Sequence, residues 1–435
     1  MQISQISMQN FRNVGELRTY KFNPRFTAVI GINGKGKSTI LQALRVACGA
    51  FFHSIPVSPK IVIHDSEVRQ VSAATGHLAE KRPVIVEATG ILGGGSRPVV
   101  WRRRILENSN TNTSSAADIG VIRDWGQNLY NQVNQEENDK IDLPVLAFFG
   151  TNRIFGAGRV TQNKKRTGRQ IFKDGYNNWH EMRATTYQYA DWLGSYDTFL
   201  GLGKEYVGTK DAFFTAVTTA NRYIRDLTFI NGALWFAVQM NEKDPPSELL
   251  PIWLHSDGIQ FFTGLVAELA YRCIVLNGYK GANAVKDSSG IVMIDELDLH
   301  LHPNWQRHII GDLKAAFTAL QFIIATHSPF IIQSMGSDEL INLDDANPLT
   351  FEPDTLPLDK VATEIMKVPS VRSEDFEIKF QKAQEELSKI ERDKGPLTTD
   401  DYIAVSKVLG TLIEDQTNDA TLKAFIQEQD KEDEA

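Results

Sequence analysis

The sequence predicts an α/β protein: a mixed sheet with helices and an antiparallel β subdomain, plus a helical insertion and a helical C-terminal tail. Three observations predict it. The apolar run FTAVI leads into GINGKGKSTILQAL (31–44), a buried strand followed by a glycine-rich loop and a helix. ISQISMQNF near the N-terminus alternates apolar and polar residues, and PVIVEATGILGGGSRPVVWRRRI (83–105) reads as two strands around a glycine-rich turn. From 256 to 334, helix-like and strand-like stretches alternate, as in a parallel sheet with helical crossovers.

The elements follow in order. Lys37 to Cys48 carries apolar residues at helical spacing. ENSNTNTSSAADIG is polar enough to be a loop, and LPVLAFF (143–149) is a buried strand. Residues 156–173 hold six basic and no acidic side chains and read as a mobile loop. From about Trp179 to Arg225 the pattern is helical, and LTFINGALWFAVQM is strand-like. A helix at 259–276, a strand at 291–295, a helix at 304–319, a strand at 321–325 and a helix at 329–334 complete the alternation. The tail offers helices at 359–367, 373–393, 400–414 and 419–430. The expected domains are 1–150, a lobe with the glycine-rich loop and the antiparallel strands; 151–255, a mainly helical insertion; 256–350, the second half of the α/β unit; and 351–435, an acidic helical tail for assembly or partner docking.

Composition sets limits. Of 435 residues, 42% are hydrophobic and 23% charged, the balance of a soluble globular chain. No apolar run approaches the roughly 18 residues that span a bilayer. The N-terminus reads as a strand and not as a secretion signal, so a cytoplasmic, non-membrane protein is expected. Cys48 and Cys273 alone support neither a disulfide framework nor a cysteine zinc site. The net charge of −8 is uneven: residues 351–435 carry 21 acidic and 11 basic side chains, and the body before them is near neutral. The mean charge therefore does not exclude contact of the body with nucleic acid.

Gly31 to Ser38 fits G-x-x-x-x-G-K-[ST] at every fixed position, between a strand and a helix. Glycines let backbone N–H groups converge on phosphate oxygens, and the helix start adds positive potential. In such a loop Lys37 reaches the β- and γ-phosphates and Ser38 coordinates Mg²⁺. Far downstream, IVMIDE ends a buried strand on two carboxylates: Asp295, suited to hold Mg²⁺, and Glu296, suited to orient or deprotonate the attacking water. QFIIATHSPF then places His327 just beyond another strand, where it could contact the γ-phosphate. Ser256-Asp257-Gly258 opens a helix, and a helix start with these residues suits an anion. If that helix packs in the core, its open end faces away from its own phosphate loop and could complete another subunit's site.

In this order the motifs resemble the ATP-binding-cassette ATPases, in the branch shared with SMC and RecF-like proteins. The resemblance implies an ABC-type P-loop ATPase head with ATP and Mg²⁺ sandwiched between two copies, as a homodimer or higher homo-oligomer. Implied catalytic residues are Glu296 as base and His327 as switch. Implied nucleotide contacts are Arg12 in NFRN, then Asn33, Gly34, Lys35, Gly36, Lys37, Ser38 and Thr39, with Ser256 and Gly258 acting in trans; Ser38 and Asp295 hold the metal. His255 stands where that family usually has Leu, and the glutamine-loop residue falls within Asp65 to Gln70. Together GINGKGKSTILQAL, FFGTNR, HSDGIQ, MIDELDLHLHPNWQ and ATHSPFII resemble stand-alone bacterial ATPases, the PtuA group of Septu and retron-associated anti-phage systems. That resemblance implies an ATPase whose nucleotide state restrains or releases a partner HNH nuclease (PtuB-like); no HNH pattern is visible in this sequence.

The alternative is a RecF/SMC-like DNA-binding clamp in repair, needing no partner nuclease. Arg159, Lys164, Lys165, Arg166, Arg169 and Lys173 could touch a phosphate backbone, or could simply be solvated. Leu299-His300-Leu301-His302 with His308 superficially suggests a metal, but Pro303 starts a helix there. In the tail, Ile378, Leu387, Ile390, Ile403, Val408 and Leu412 suggest an antiparallel helix pair for docking.

Overall fold

The computed structural model describes residues 1–56, 60–72, 77–135, 140–151, 168–180, 188–345 and 351–378, with 381 and 385. The chain forms two compact units, Met1–Met366 and Lys367–Ala435. In the second, the described part is helical at 374–378, with the Arg372 guanidinium over the Phe376 ring. The expected helices at 400–414 and 419–430 lie outside the described residues, as do Arg159, Lys164, Lys165 and Arg166.

Two sheets organise the first unit. The antiparallel one contains β1 (Gln2–Gln9), β2 (Arg18–Lys21), β6 (Val84–Ile91) and β7 (Val99–Ile105), in the order β2-β1-β6-β7. The parallel one contains β3 (Phe26–Ile30), β8 (Val145–Phe149), β12 (Gly290–Ile294), β13 (Leu320–Ala325) and β14 (Leu340–Asn342), in the order β14-β3-β13-β12-β8. β3, β8, β12 and β13 are buried along their whole length, which explains why they read as continuous apolar runs. Gln321 ties the sheets together: its side chain accepts from Ile3 N at 2.9 Å and donates to Ile3 O at 2.8 Å.

Helix α1 (Lys37–Gly49) lies between the sheets, against β1, β6 and β7 on one side and β12 and β13 on the other. Ile40, Leu41 and Leu44 are fully buried there, each contributing roughly 2 kcal/mol. Burial also pushes the Cys48 thiol up to about 12. The Trp101 indole donates to Ala47 O at 3.0 Å and locks α1 onto β7.

Helix α2 (Ala116–Asn134) corrects the sequence reading, which took residues through Gly120 as loop. Its signal is diluted by Gly, Asn and Gln, yet Ile119, Ile122 and Leu129 are buried at helical spacing. It presents Asp118, 1% exposed, to Arg102 and Arg104 of β7, each donating from Nε at 3.1 Å. Arg103 points to the opposite face and donates to Ile61 O and Thr113 O. Strand alternation thus separates the three arginines.

A hairpin, β4 (Gln70–Ser72) with β5 (Leu78–Glu80), borders the antiparallel sheet's sequence. Between β8 and β12 come α3 (Gly168–Gly175), α4 (Gln188–Gly201), α5 (Thr209–Ala220) and a three-stranded sheet of β9 (Ile224–Ile230), β10 (Ala233–Val238) and β11 (Leu250–Pro251). Residues 168–173 are therefore helical, not the mobile loop expected, because Phe172 is buried against Tyr130 and Tyr176.

Helix α6 (Asp257–Asn277) is by length and composition apolar enough to cross a membrane, although charged residues interrupt its apolar run. Its apolar window is 89% buried inside the protein, and Glu268 and Arg272 pair within it at 3.4 Å. The helix expected over 304–319 is two, α7 (Pro303–Gln306) and α8 (Ile309–Ala316); Trp305, stacked on Tyr223 and edge-on to Phe262, holds the first turn separately. Helix α9 (Pro329–Gln333) follows β13, with the Ser328 side chain accepting from Ile331 N.

Candidate active site

The carboxyl ends of β3, β12 and β13 open on a cleft of about 700 Å³. β3 ends at Ile30, and the loop to α1 lines the cleft with Asn33, Gly34, Gly36, Lys37, Ser38 and Thr39. Gly36 caps α1 at φ 110°, a conformation that side chains rarely adopt, and a β-carbon there would lie 3.1 Å from Asn13. The first turn of α1 carries no acidic residue, so its positive end faces the cleft unneutralised. Lys37 Nζ donates to Gly31 O at 2.7 Å and Ile32 O at 3.3 Å. Burial lowers its pKa, opposed by the charges of Asp344, Asp295, Glu296 and Asp298. Lys35 does not line the cleft; its ammonium lies 3.7 Å from Asp344.

The opposite wall comes from the downstream strands. Asp295 N donates to Phe149 O at 2.8 Å, which fixes the end of β12 beside β8. The chain then turns sharply: Glu296 has φ 51°, and both Asp295 and Glu296 face the cleft. His327, one residue past Thr326 at the end of β13, lines the same wall. Asp298 organises that corner, accepting from Thr326 Oγ1 at 2.6 Å and from His327 N at 3.2 Å on one oxygen. A serine hydroxyl and a carboxylate, Ser38 and Asp295, thus line one cleft, and hard oxygen donors of this kind suit Mg²⁺.

The third wall comes from the antiparallel side. Arg12 has φ 52°, and its N–H donates to Glu67 O at 2.7 Å, which pins NFRN against the 65–69 segment. Asn13 bridges two parts of the loop, donating to Gly34 O at 2.8 Å and accepting from Thr39 Oγ1 at 2.7 Å. Ser66, Val68 and Gln70 also line the cleft, so Gln70 is the glutamine of the 65–70 region found at the site. Asn13, Asp298 and Asp344 escaped the sequence reading. Asn13 had a signal in its neighbour Arg12, whereas Asp298 and Asp344 stand out only through their partners in space.

Ser256 and Gly258 do not line this cleft. Ser256 is exposed at the start of α6 and makes no capping bond with its side chain. Gly258 is buried, because a β-carbon there would lie 2.1 Å from His300 O in the segment that follows Glu296. His255 stacks on Phe236 with ring centres 4.1 Å apart, and its Nε2 lies 3.1 Å from Phe236 O and 3.3 Å from Leu250 O. This ring anchors the loop before α6 to the β9–β11 sheet.

The chain is similar to several known proteins. Residues 5–190 match the family described as "AAA domain", and residues 232–333 match "AAA domain, putative AbiEii toxin, Type IV TA system". The chain is similar to "Retron Vc95 probable ATPase" of Vibrio cholerae serotype O1 biovar El Tor, with 21% identity over 86% of this chain and 81% of that protein. It is 42% identical to "Septu protein PtuA" of Bacillus thuringiensis over a match spanning 20% of each chain. Among solved structures, the SMC head domain from Thermotoga maritima aligns with 79% of this chain and 94% of its own length, at 15% identity and a TM-score of 0.42.

Proposed function

We propose that this chain, an ABC/SMC-like P-loop ATPase, is the ATP-binding and hydrolysing subunit of an anti-phage defence complex whose nucleotide-dependent assembly controls a partner HNH nuclease. The observation that carries the ATPase part is the meeting of the 31–38 loop, Asp295, Glu296 and His327 on one cleft. The defence part is supported by the relatives, which are named as retron and Septu proteins.

In this proposal the loop amides and the start of α1 receive the phosphates, with Arg12, Asn33 and Thr39 at the rim. Lys37 exchanges the Gly31 and Ile32 carbonyls for phosphate oxygens. Ser38 and Asp295 would hold Mg²⁺, which when bound offsets phosphate charge. Glu296 takes a proton from the attacking water as its oxygen bonds to the γ-phosphorus. The bond from that phosphorus to the bridging oxygen breaks, and ADP leaves. His327 orients the γ-phosphate, and Asp298 holds His327 in place. The exposed Ser256 and the α6 start close over the nucleotide of a second copy, so that hydrolysis opens the pair. The protein works in the cytoplasm.

Co-expression with a PtuB-like HNH nuclease tests the proposal. A stable complex is expected, with DNA cleavage that differs between wild type and Lys37→Ala. Absence of a complex, with ATP-dependent DNA binding by the ATPase alone, would overturn nuclease control in favour of a DNA clamp.

A further inference from the structure

Strand β14 lies at the edge of the parallel sheet and belongs to none of the nucleotide motifs. It pairs with β3 in register, Leu340 with Ala28, Ile341 with Val29 and Asn342 with Ile30. Leu343 N continues the ladder to Ile30 O at 2.9 Å, so the chain leaves β14 where the phosphate loop leaves β3. The next residue is Asp344. Its own N–H is held by Asn342 Oδ1 at 3.0 Å, and Asn342 is held in turn by its Nδ2 bond to Ile365 O at 2.9 Å. The Asp344 side chain is only 7% exposed.

From there Asp344 Oδ2 accepts from Ile32 N at 2.7 Å. That N–H belongs to the peptide group whose carbonyl, Gly31 O, accepts from Lys37 Nζ at 2.7 Å. One peptide plane is therefore held between an anion on its N–H side and a cation on its C=O side. Each contact polarises the peptide in the sense that strengthens the other. The same carboxylate lies 3.7 Å from Lys35 and opposes the loss of charge on Lys37. A buried carboxylate on a sheet edge is unfavourable without such partners.

We propose that Asp344 is a positioning residue of the nucleotide site, fixing the Gly31–Ile32 peptide and through it the phosphate loop and the Lys37 ammonium. Its action is indirect, because it does not line the cleft. The inference rests on nucleotide binding at the loop and makes that binding depend on a residue more than three hundred positions downstream.

The test is equilibrium binding of a fluorescent ATP analogue to the full chain, with melting curves recorded in parallel. Asp344→Ala removes the acceptor and is expected to weaken binding about tenfold. Asp344→Asn keeps an oxygen for Ile32 N–H and is expected to bind within about threefold of wild type. Should Asp344→Ala not fold, Asp344→Ser takes its place with the same expected loss, since its side chain is too short to reach. Wild-type binding by Asp344→Ala or Asp344→Ser would overturn the proposal, as would an Asp344→Asn protein as weak as either. If the wild type itself binds no nucleotide, the ATPase assignment fails instead, and the two failures are distinct.

Discussion

A single carboxylate oxygen of Asp298 accepts both the Thr326 hydroxyl, at 2.6 Å, and the His327 amide, at 3.2 Å. Asp298 lies two residues after Glu296 on the turn that leaves β12, and Thr326 directly follows β13. The turn that carries the proposed base is thus joined through Asp298 to the backbone of the proposed switch. Asp298→Ala should leave a hydroxyl and an amide to find new partners and let His327 drift. We expect kcat to fall about tenfold, with nucleotide affinity kept within about twofold. Steady-state kinetics with a parallel binding titration measures both, and an equal loss in affinity would place Asp298 in the phosphate pocket instead.

Glu296 occupies a left-handed backbone position and faces the cleft. Glu296→Gln preserves its size and removes its basicity. Hydrolysis should fall at least about a hundredfold, with ATP retained on the protein. Single-turnover assays with retained nucleotide read both quantities. Hydrolysis at the wild-type rate would exclude Glu296 as the base.

Burial lowers the pKa of His255 from the ordinary 6.5, against the raising effect of its bonds to the Leu250 and Phe236 carbonyls. The folded state therefore disfavours the protonated ring. The stability it contributes is present above about pH 6.5 and is lost as pH falls through the lowered folded value. Melting temperature should drop more steeply between about pH 7 and 5 in wild type than in His255→Leu. Identical slopes would show that the ring titrates alike in both states.

The fold was legible where physics acts locally. Four parallel strands announced themselves as apolar runs because they are covered on both faces, and the 31–38 loop did so because only glycine meets its backbone demands. Helix α2 was hidden because its polar residues outnumber the few that touch the core. The break between α7 and α8 was hidden because Trp305 packs across chain-distant Tyr223. The site divides in the same way. Lys37, Ser38, Asp295, Glu296 and His327 sit at fixed places in motifs, whereas Asp344 meets Ile32 only because β14 pairs with β3. Sequence spacing carries no trace of such a pairing.

In the proposed mechanism each nucleotide is shared, one copy supplying Lys37 and its sister the Ser256 helix start. Mixing two inactive variants tests it most directly: Lys37→Ala with Ser256→Arg, assayed for ATP hydrolysis separately and then together. Each alone should be nearly inactive, and an equal mixture should recover about a quarter of wild-type activity, because mixed pairs rebuild one intact site. No recovery, or a Ser256→Arg protein as active as wild type, would contradict the account.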